Sequence, residues 1–290
     1  VQQAGYSAAF LTLAAVAAAA LVLLLVAMPE TLDRQAAVVD EPVDFSDERI
    51  ITTDDVLQTL QQIVKYHREQ FDIPFIAITG SNGKTIVKEW LNFLLSPDYN
   101  IIRSPKSYNS QVGVPLSVIA INEHHNLGIF EAGISTRNEM ENLEMIIKPT
   151  IGLLTNIGSA HDEGFSNIGE KIKEKLKLFQ NTEILIYNKN KTIDAFIDPK
   201  IKTFTWSSKD GNADVYIIIK SILDKTSLQI RYQNENFDIK IPFQDDASIE
   251  NAIQCMMVML YFGYDYQTIE SRMELLFPVE MRLQIKTGIN

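Results

Sequence analysis

With only one cysteine, Cys255, in 290 residues, the chain can form no internal disulfide and no cysteine-based metal cluster. That cysteine falls inside the apolar helical run Ala252-Ile-Gln-Cys-Met-Met-Val-Met-Leu260 and reads as core, in keeping with a reducing compartment. Basic charge is short as well. The 26 Lys and Arg against 37 Asp and Glu leave a net charge of -11. With no basic stripe to offset it, this charge argues against nucleic acid bound as a polyanion. A magnesium nucleotide stays compatible, because its pocket needs only local amides and a few lysines. The chain has no internal repeat and no low-complexity segment besides one alanine-rich stretch. What is present describes a globular protein: 46% hydrophobic and 22% charged residues, enough to bury a sizeable core in one large or two ordinary domains.

The alanine-rich stretch spans residues 8–28 and is apolar apart from Thr12, long enough to cross a bilayer as one helix. A signal peptide fits less well, since no basic residue precedes the run and the run is too long for an h-region. A buried soluble helix is the ordinary alternative. Arg34 beyond the run places the C-terminal side on the cytoplasmic face. Residues 33–49 carry Asp33, Asp40, Glu41, Asp44, Asp47 and Glu48 without a long apolar run and read as an acidic, solvated linker. Residues 53–69 then show a helical apolar rhythm, with Thr53 or Asp54 as the expected cap.

The most telling segment is Ile76-Ala-Ile-Thr-Gly-Ser-Asn-Gly-Lys-Thr85, an apolar strand entering a glycine-bracketed turn that ends in Lys-Thr and a helix. Amides of such a turn, together with the dipole of the next helix, form a phosphate pocket. Lys84 is placed to reach the outer phosphates, and the Thr85 hydroxyl to hold a magnesium ion. A strict Walker pattern has glycine where this chain has Ile78, so the loop is a shortened variant.

From residue 73 strands and helices alternate. Strands are expected at 73–79, 101–103, 127–131, 151–155 and 184–187, with helices near 85–95, 138–147 and 167–179. This order predicts an α/β fold, a mostly parallel sheet flanked by helices, with ligands at the carboxyl ends of its strands. Segments 215–222, 227–232 and 237–241 predict a small antiparallel meander, followed by helices near 247–262 and 266–276.

Further chemistry gathers just beyond those strands. Glu131 ends the run Ile129-Phe-Glu-Ala-Gly133, where a carboxylate suits a magnesium ion bridging phosphates and Gly133 permits close backbone approach. Position alone equally suits a carboxylate facing water. His161 follows a strand in Thr155-Asn-Ile-Gly-Ser-Ala-His161, with Asp162 and Glu163 beside it. Alone, such a histidine is more often a surface or capping residue. Lys171, Lys173, Lys175 and Lys177 punctuate the next helix as an ordinary solvated basic face, unless one is buried beside the metal site, where desolvation favours a neutral amine.

Taken in order, several motifs resemble the Mur ligase family, the ATP-dependent amide-forming enzymes of peptidoglycan synthesis. They are Thr79-Gly-Ser-Asn-Gly-Lys-Thr85, Tyr108-Asn-Ser-Gln-Val-Gly-Val-Pro115, Phe130-Glu-Ala-Gly133, Thr155-Asn-Ile-Gly-Ser-Ala-His161, Lys175-Leu-Lys-Leu-Phe179, Asp246-Ala-Ser-Ile-Glu-Asn251 and Glu280-Met-Arg-Leu283. Phe71-Asp-Ile-Pro74 and Ser104-Pro-Lys-Ser107 resemble most the branch that joins D-alanyl-D-alanine to UDP-N-acetylmuramoyl-tripeptide, in its form fused to an alanine racemase.

By that resemblance Gly80, Ser81, Asn82, Gly83, Lys84 and Thr85 hold ATP, with Asn251 at the adenine and Arg282 near the end of the central domain. Thr85 and Glu131 hold one magnesium ion. His161 holds a second, together with Lys175 in the carbamylated form the family uses. Asn109 lies near the γ-phosphate and the acyl substrate. The catalytic set is thus Lys84, Asn109, His161 and Lys175, and the cofactors are ATP and Mg2+.

The implied organisation is a remnant of the N-terminal UDP-substrate domain at 50–72 and the central ATP-binding domain at 73–288. The C-terminal ligase domain is expected to be missing, and with no racemase domain no pyridoxal phosphate is expected. The reaction implied is conversion of the tripeptide carboxylate to an acyl phosphate and attack by the D-alanyl-D-alanine amine. Its expected place is cytoplasmic, with membrane association through residues 8–28. Two alternatives remain open: another Mur or folylpolyglutamate-type ligase, and a noncatalytic ATP-binding fragment joined to a transporter remnant. The second arises because Gly5-Tyr-Ser-Ala-Ala-Phe10 and Met28-Pro-Glu-Thr31, within residues 1–35, resemble the last membrane helix of a major facilitator transporter.

Overall fold

A computed structural model describes residues 37–39, 50–134, 137–158, 165 and 167–279. The apolar run 8–28, most of the acidic segment, His161 with Asp162 and Glu163, and Arg282 lie outside the described residues. Among the described residues no helix is long and apolar enough to cross a membrane.

Runs of β-branched and aromatic residues form the strands, and the longer helices between them carry an apolar stripe, while the short helix Gly113–Val118 is buried on all sides. The parallel strands are β3 (Phe75–Thr79), β4 (Ile101–Arg103), β5 (Leu127–Glu131), β6 (Ile151–Leu154), β7 (Ile184–Asn188) and β8 (Thr203–Ser207). A short parallel pair, β1 (Ala37–Val39) and β2 (Ile50–Thr52), precedes them. The meander is β9 (Val215–Ile222), β10 (Lys225–Tyr232) and β11 (Glu235–Ile241), within two residues of expectation at every end. Gln233 and Asn234, with φ of 49° and 66°, form its two-residue β10–β11 turn, as a type I′ turn requires.

The main sheet runs β11-β10-β9-β8-β7-β6-β3-β5-β4. The meander is therefore no separate unit: β9 pairs parallel to β8 through Trp206–Val215 and Ser207–Tyr216. β8 was not expected from the sequence, because Thr203, Thr205 and Ser207 dilute its two aromatics, Phe204 and Trp206. Asp214 secures this join, its Oδ2 accepting from both Thr205 N–H and Thr205 Oγ1 at 2.7 Å.

Alternation along the strands sends side chains to two cores. From β3, Ile76 and Ile78 pack towards α2 (Lys84–Leu95), α7 (Asp246–Tyr261) and α8 (Tyr266–Met273). Phe75 and Ala77 face α1 (Val56–Arg68), α3 (Gly113–Val118), α4 (Glu139–Ile147) and α5 (Ile168–Leu176). A short helix, α6 (Lys191–Asp194), comes after β7. With both faces covered, β3, β5 and β6 are buried along their whole length.

Helix α1 belongs to this packing, with Leu60 and Val64 buried in the second core. Its cap is Asp55, which accepts from Gln58 N–H at 2.9 Å, instead of the expected Thr53 or Asp54. At its other end buried Arg68 donates to the carbonyls of Ile147 (2.9 Å), Phe71 (2.7 Å) and Lys148 (3.2 Å) and lies 3.4 Å over the Phe75 ring. Burial pulls its pKa down to about 10, which leaves it charged at neutral pH.

Strand β3 sits where the chain changes direction. After it the chain fills one side, β4 and β5, and then the other, β6 to β8. A crevice opens at the carboxyl end of such a strand. The loop after β3 occupies it.

Candidate active site

Gly80 leaves β3 with φ 149°, and a Cβ there would lie 2.0 Å from Thr155 Oγ1. Gly83, the N-cap of α2, has φ 85°, and a Cβ there would lie 2.2 Å from Asn251 Oδ1. Both positions need glycine for conformation and for space. Gly80→Ala is expected to lower stability by about 2 kcal/mol through overpacking at an unfavourable φ. A urea unfolding midpoint unchanged from the parent would contradict this.

The loop is held from the β6 side. Ser81 N–H donates to Asn156 O at 2.8 Å, Asn82 N–H to Asn156 Oδ1 at 3.0 Å, and Thr155 Oγ1 to Asn82 O at 2.6 Å. Two of the loop amides expected to face a phosphate are therefore spent on fixing the loop. The amides left for an anion are those of the first turn of α2, which have no intrahelical acceptor and no side-chain cap.

Lysines converge here. Lys84 Nζ donates to Gly80 O at 2.9 Å, and Lys175 Nζ, from α5, reaches the same carbonyl at 3.2 Å. Lys175 is only 5% exposed and Lys171, one turn earlier, only 2%. Only part of the expected solvated face is solvated: Lys173 is exposed over the Phe196 ring, and Lys177 pairs with Glu174 at 2.9 Å. Lys171 and Lys175 lie four apart on the buried stripe of α5, which the even spacing of four lysines concealed.

Glu131 does not face water. It is fully buried at the end of β5, beside β3. Thr85 Oγ1 donates to its Oε2 at 3.0 Å, and Asn109 Nδ2 stands 3.4 Å from the same oxygen. Gly133 N–H holds the Asn109 carbonyl at 2.8 Å, which brings the loop after β4 against the end of β5. Ser107 Oγ lies 3.4 Å from Thr85 Oγ1. Asn251, on α7, is buried beside Gly83.

One residue that no sequence motif marks is central. Lys88 is fully buried on α2, its Nζ 3.3 Å from Glu131 Oε1 and 3.0 Å from Glu89 Oε1. It also donates to Ser104 O at 2.7 Å and to Lys106 O. The available signal was its place on the stripe Lys84, Lys88, Leu91, Leu95, which points into the protein.

The structure thus brings together Gly80 to Thr85, Asn109, Glu131, Lys175 and Asn251. Among the described residues no group of three or more His, Cys, Asp or Glu is placed to hold a metal ion. Hard oxygen donors are nonetheless present in the Glu131 carboxylate and the Thr85 hydroxyl. One carboxylate with a hydroxyl suits magnesium, which takes the rest of its shell from phosphates and water. Cys255 is buried on α7, where burial raises its thiol pKa well above the usual value, consistent with core.

Residues 78–259 match the family described as the Mur ligase middle domain. A UDP-N-acetylmuramoyl-tripeptide--D-alanyl-D-alanine ligase of Borreliella burgdorferi is 33% identical over 218 residues, covering 73% of this chain and 47% of the relative. The Rickettsia prowazekii protein of that name is 29% identical over 242 residues, covering 80% of this chain and 54% of its own length. The chain therefore spans about half the length of the curated relatives it matches. A crystal structure of MurF from Acinetobacter baumannii superposes with a TM-score of 0.76 at 22% identity, over 86% of this chain and 56% of the other. MurF ligase from Thermotoga maritima, in complex with ADP, gives 0.73 at 20% identity, over 84% and 58%. At those identities the structures establish the shared fold.

Proposed function

Since this chain belongs to the Mur ligase family, we propose that residues 73–288 form the ATP-binding domain of a ligase that joins D-alanyl-D-alanine to UDP-N-acetylmuramoyl-tripeptide. The observation that carries this reading is the contact of Thr85 with buried Glu131, with Lys84 and Lys175 meeting at the Gly80 carbonyl on the other side of the loop. The relatives named for that reaction support the choice of substrate. In this reading residues 50–72 lead out of the UDP-substrate domain, with helix α1 packed into the core of the ATP-binding domain, and the protein acts in the cytoplasm, where ATP and the nucleotide-sugar precursor are supplied.

A carboxylate is a poor electrophile, so the reaction begins by phosphorylating it. The first-turn amides of α2 take the phosphates, and Lys84 turns from the Gly80 carbonyl to the outer phosphate oxygens, neutralising charge as the γ-phosphoryl group moves. Thr85 and Glu131 would hold a magnesium ion, which would supply positive charge to offset the negative charge of the phosphate oxygens. Asn109, held by Gly133, presents its amide at the same edge and orients the acyl carboxylate for in-line attack on phosphorus. Lys175 as a carbamate, the form the family resemblance implies, replaces a positive by a negative charge beside Gly80 and joins the metal-binding set with His161. Asn251 fixes the nucleotide from the α7 side, Arg282 completes its binding, and the amine of D-alanyl-D-alanine then displaces phosphate.

Calorimetric titration of the purified chain with ATP tests this first. Saturable binding that strengthens at least about tenfold with Mg2+ is expected, as a charge-bridging cation requires. No saturable binding up to several millimolar, on the order expected of the weakest specific nucleotide sites, overturns the reading. Phosphate release in the presence of UDP-N-acetylmuramoyl-tripeptide, set against other UDP-muramoyl peptides and folate, tests the acyl substrate.

A further inference from the structure

We propose that Lys88 makes the metal site conditional on the nucleotide, so that a divalent cation settles on Glu131 only with a polyphosphate present. The inference rests on the Mg-ATP reading above and concerns a residue that reading does not need.

Three observations carry it. First, Glu131 already has a full positive charge at contact: Lys88 Nζ is 3.3 Å from Oε1, and both side chains are wholly buried. A second cation on the same carboxylate would face that ammonium across a few ångströms, and the burial of both side chains weakens the screening between them. Second, Lys88 cannot swing away. Its stem is packed in α2, and its ammonium is anchored to the carbonyls of Ser104 and Lys106 and to Glu89. Third, Oε2 is the carboxylate oxygen nearer Thr85 Oγ1, at 3.0 Å against 3.3 Å for Oε1, and the one that Asn109 approaches, on the phosphate side of the site. Lys88, paired with Oε1, therefore favours Oε2 as the oxygen that faces the metal and at the same time repels a metal that arrives alone. A triphosphate brings several negative charges of its own, and these offset the repulsion. Lys88 is a positioning residue here, acting through Glu131 without touching the nucleotide.

The consequence is a coupling between metal and nucleotide, and such couplings are reciprocal. It can be read without turnover, by electron paramagnetic resonance of Mn2+ in the presence of the full 290-residue chain. The parent is expected to leave Mn2+ free in the absence of ATP and to take it up with ATP. Lys88→Met removes the charge and keeps most of the volume. It is expected to bind Mn2+ without nucleotide about tenfold more tightly than the parent, within the usual range of such couplings. It should at the same time lose most of the Mn2+-dependent gain in ATP affinity. Glu131→Gln added to Lys88→Met should abolish the gained Mn2+ binding. Lys88→Gln, which keeps an N–H for the Ser104 or Lys106 carbonyl, is expected to behave as Lys88→Met and decides the matter if the methionine variant does not fold.

A residue that only braces the loop would weaken both bindings on replacement, so the opposite signs are the signature. Folded variants with nucleotide-free Mn2+ affinity no higher than the parent's overturn the inference, as does a parent that takes up Mn2+ readily without ATP. A parent whose ATP affinity is the same in Mn2+ and in EDTA instead overturns the Mg-ATP reading itself.

Discussion

Replacing Lys84 with alanine is expected to weaken Mg-ATP binding by about 100-fold, because charge-assisted hydrogen bonds to phosphate are each worth roughly 1.5–3 kcal/mol. The fold should survive. Lys84 is only half-buried, and without nucleotide its ammonium is held by the Gly80 carbonyl, a group Lys175 also reaches. The thermal midpoint is therefore expected to move by no more than about 2 °C, the size of a small surface change. Lys84→Arg should recover little, since a planar fork cannot replace a compact ammonium in a turn closed by Gly80 and Gly83. Calorimetry on both variants decides. An alanine variant that binds Mg-ATP within about threefold of the parent would remove Lys84 from the phosphate site.

Most of the sheet is legible in the sequence for a physical reason. β3, β5, β6 and β7 are covered by helices on both sides, so their apolar runs are nearly unbroken, and the meander strands announce themselves by polar turns. β8 was hidden because three of its five residues are Thr or Ser, and Thr205 is satisfied only once the chain turns back to bring Asp214 beneath it. The phosphate loop was legible because its requirements are local: two glycines, a lysine and a threonine on one turn. Lys88 was not. A lysine on a helix is ordinarily solvated, and this one is buried by a carboxylate on β5 together with two carbonyls from the loop after β4. Glu131 had the same ambiguity in reverse, since a strand-end carboxylate faces water unless something charged waits for it. Neither residue could be assigned alone; each explains the burial of the other.

That mutual dependence gives the second large effect. Glu131→Ala is expected to destabilise the chain by about 3 kcal/mol, the lower end of the cost of removing one member of a buried ion pair. The lower end applies because Lys88 keeps Glu89 and two carbonyls as partners. Glu131→Gln should cost less, since it preserves volume and an acceptor for Thr85 Oγ1. Both should lose the Mg2+-dependent part of ATP binding, which separates the metal role from the stability role. Combining Glu131→Ala with Lys88→Met leaves no buried charge unpaired at this point. The double variant is therefore expected to be more stable than the sum of the single losses by about 2 kcal/mol, within the range of couplings between contacting residues. Urea unfolding of the four proteins of this cycle measures that coupling. Strict additivity would mean that the pair, although 3.3 Å apart, does not act as one electrostatic unit.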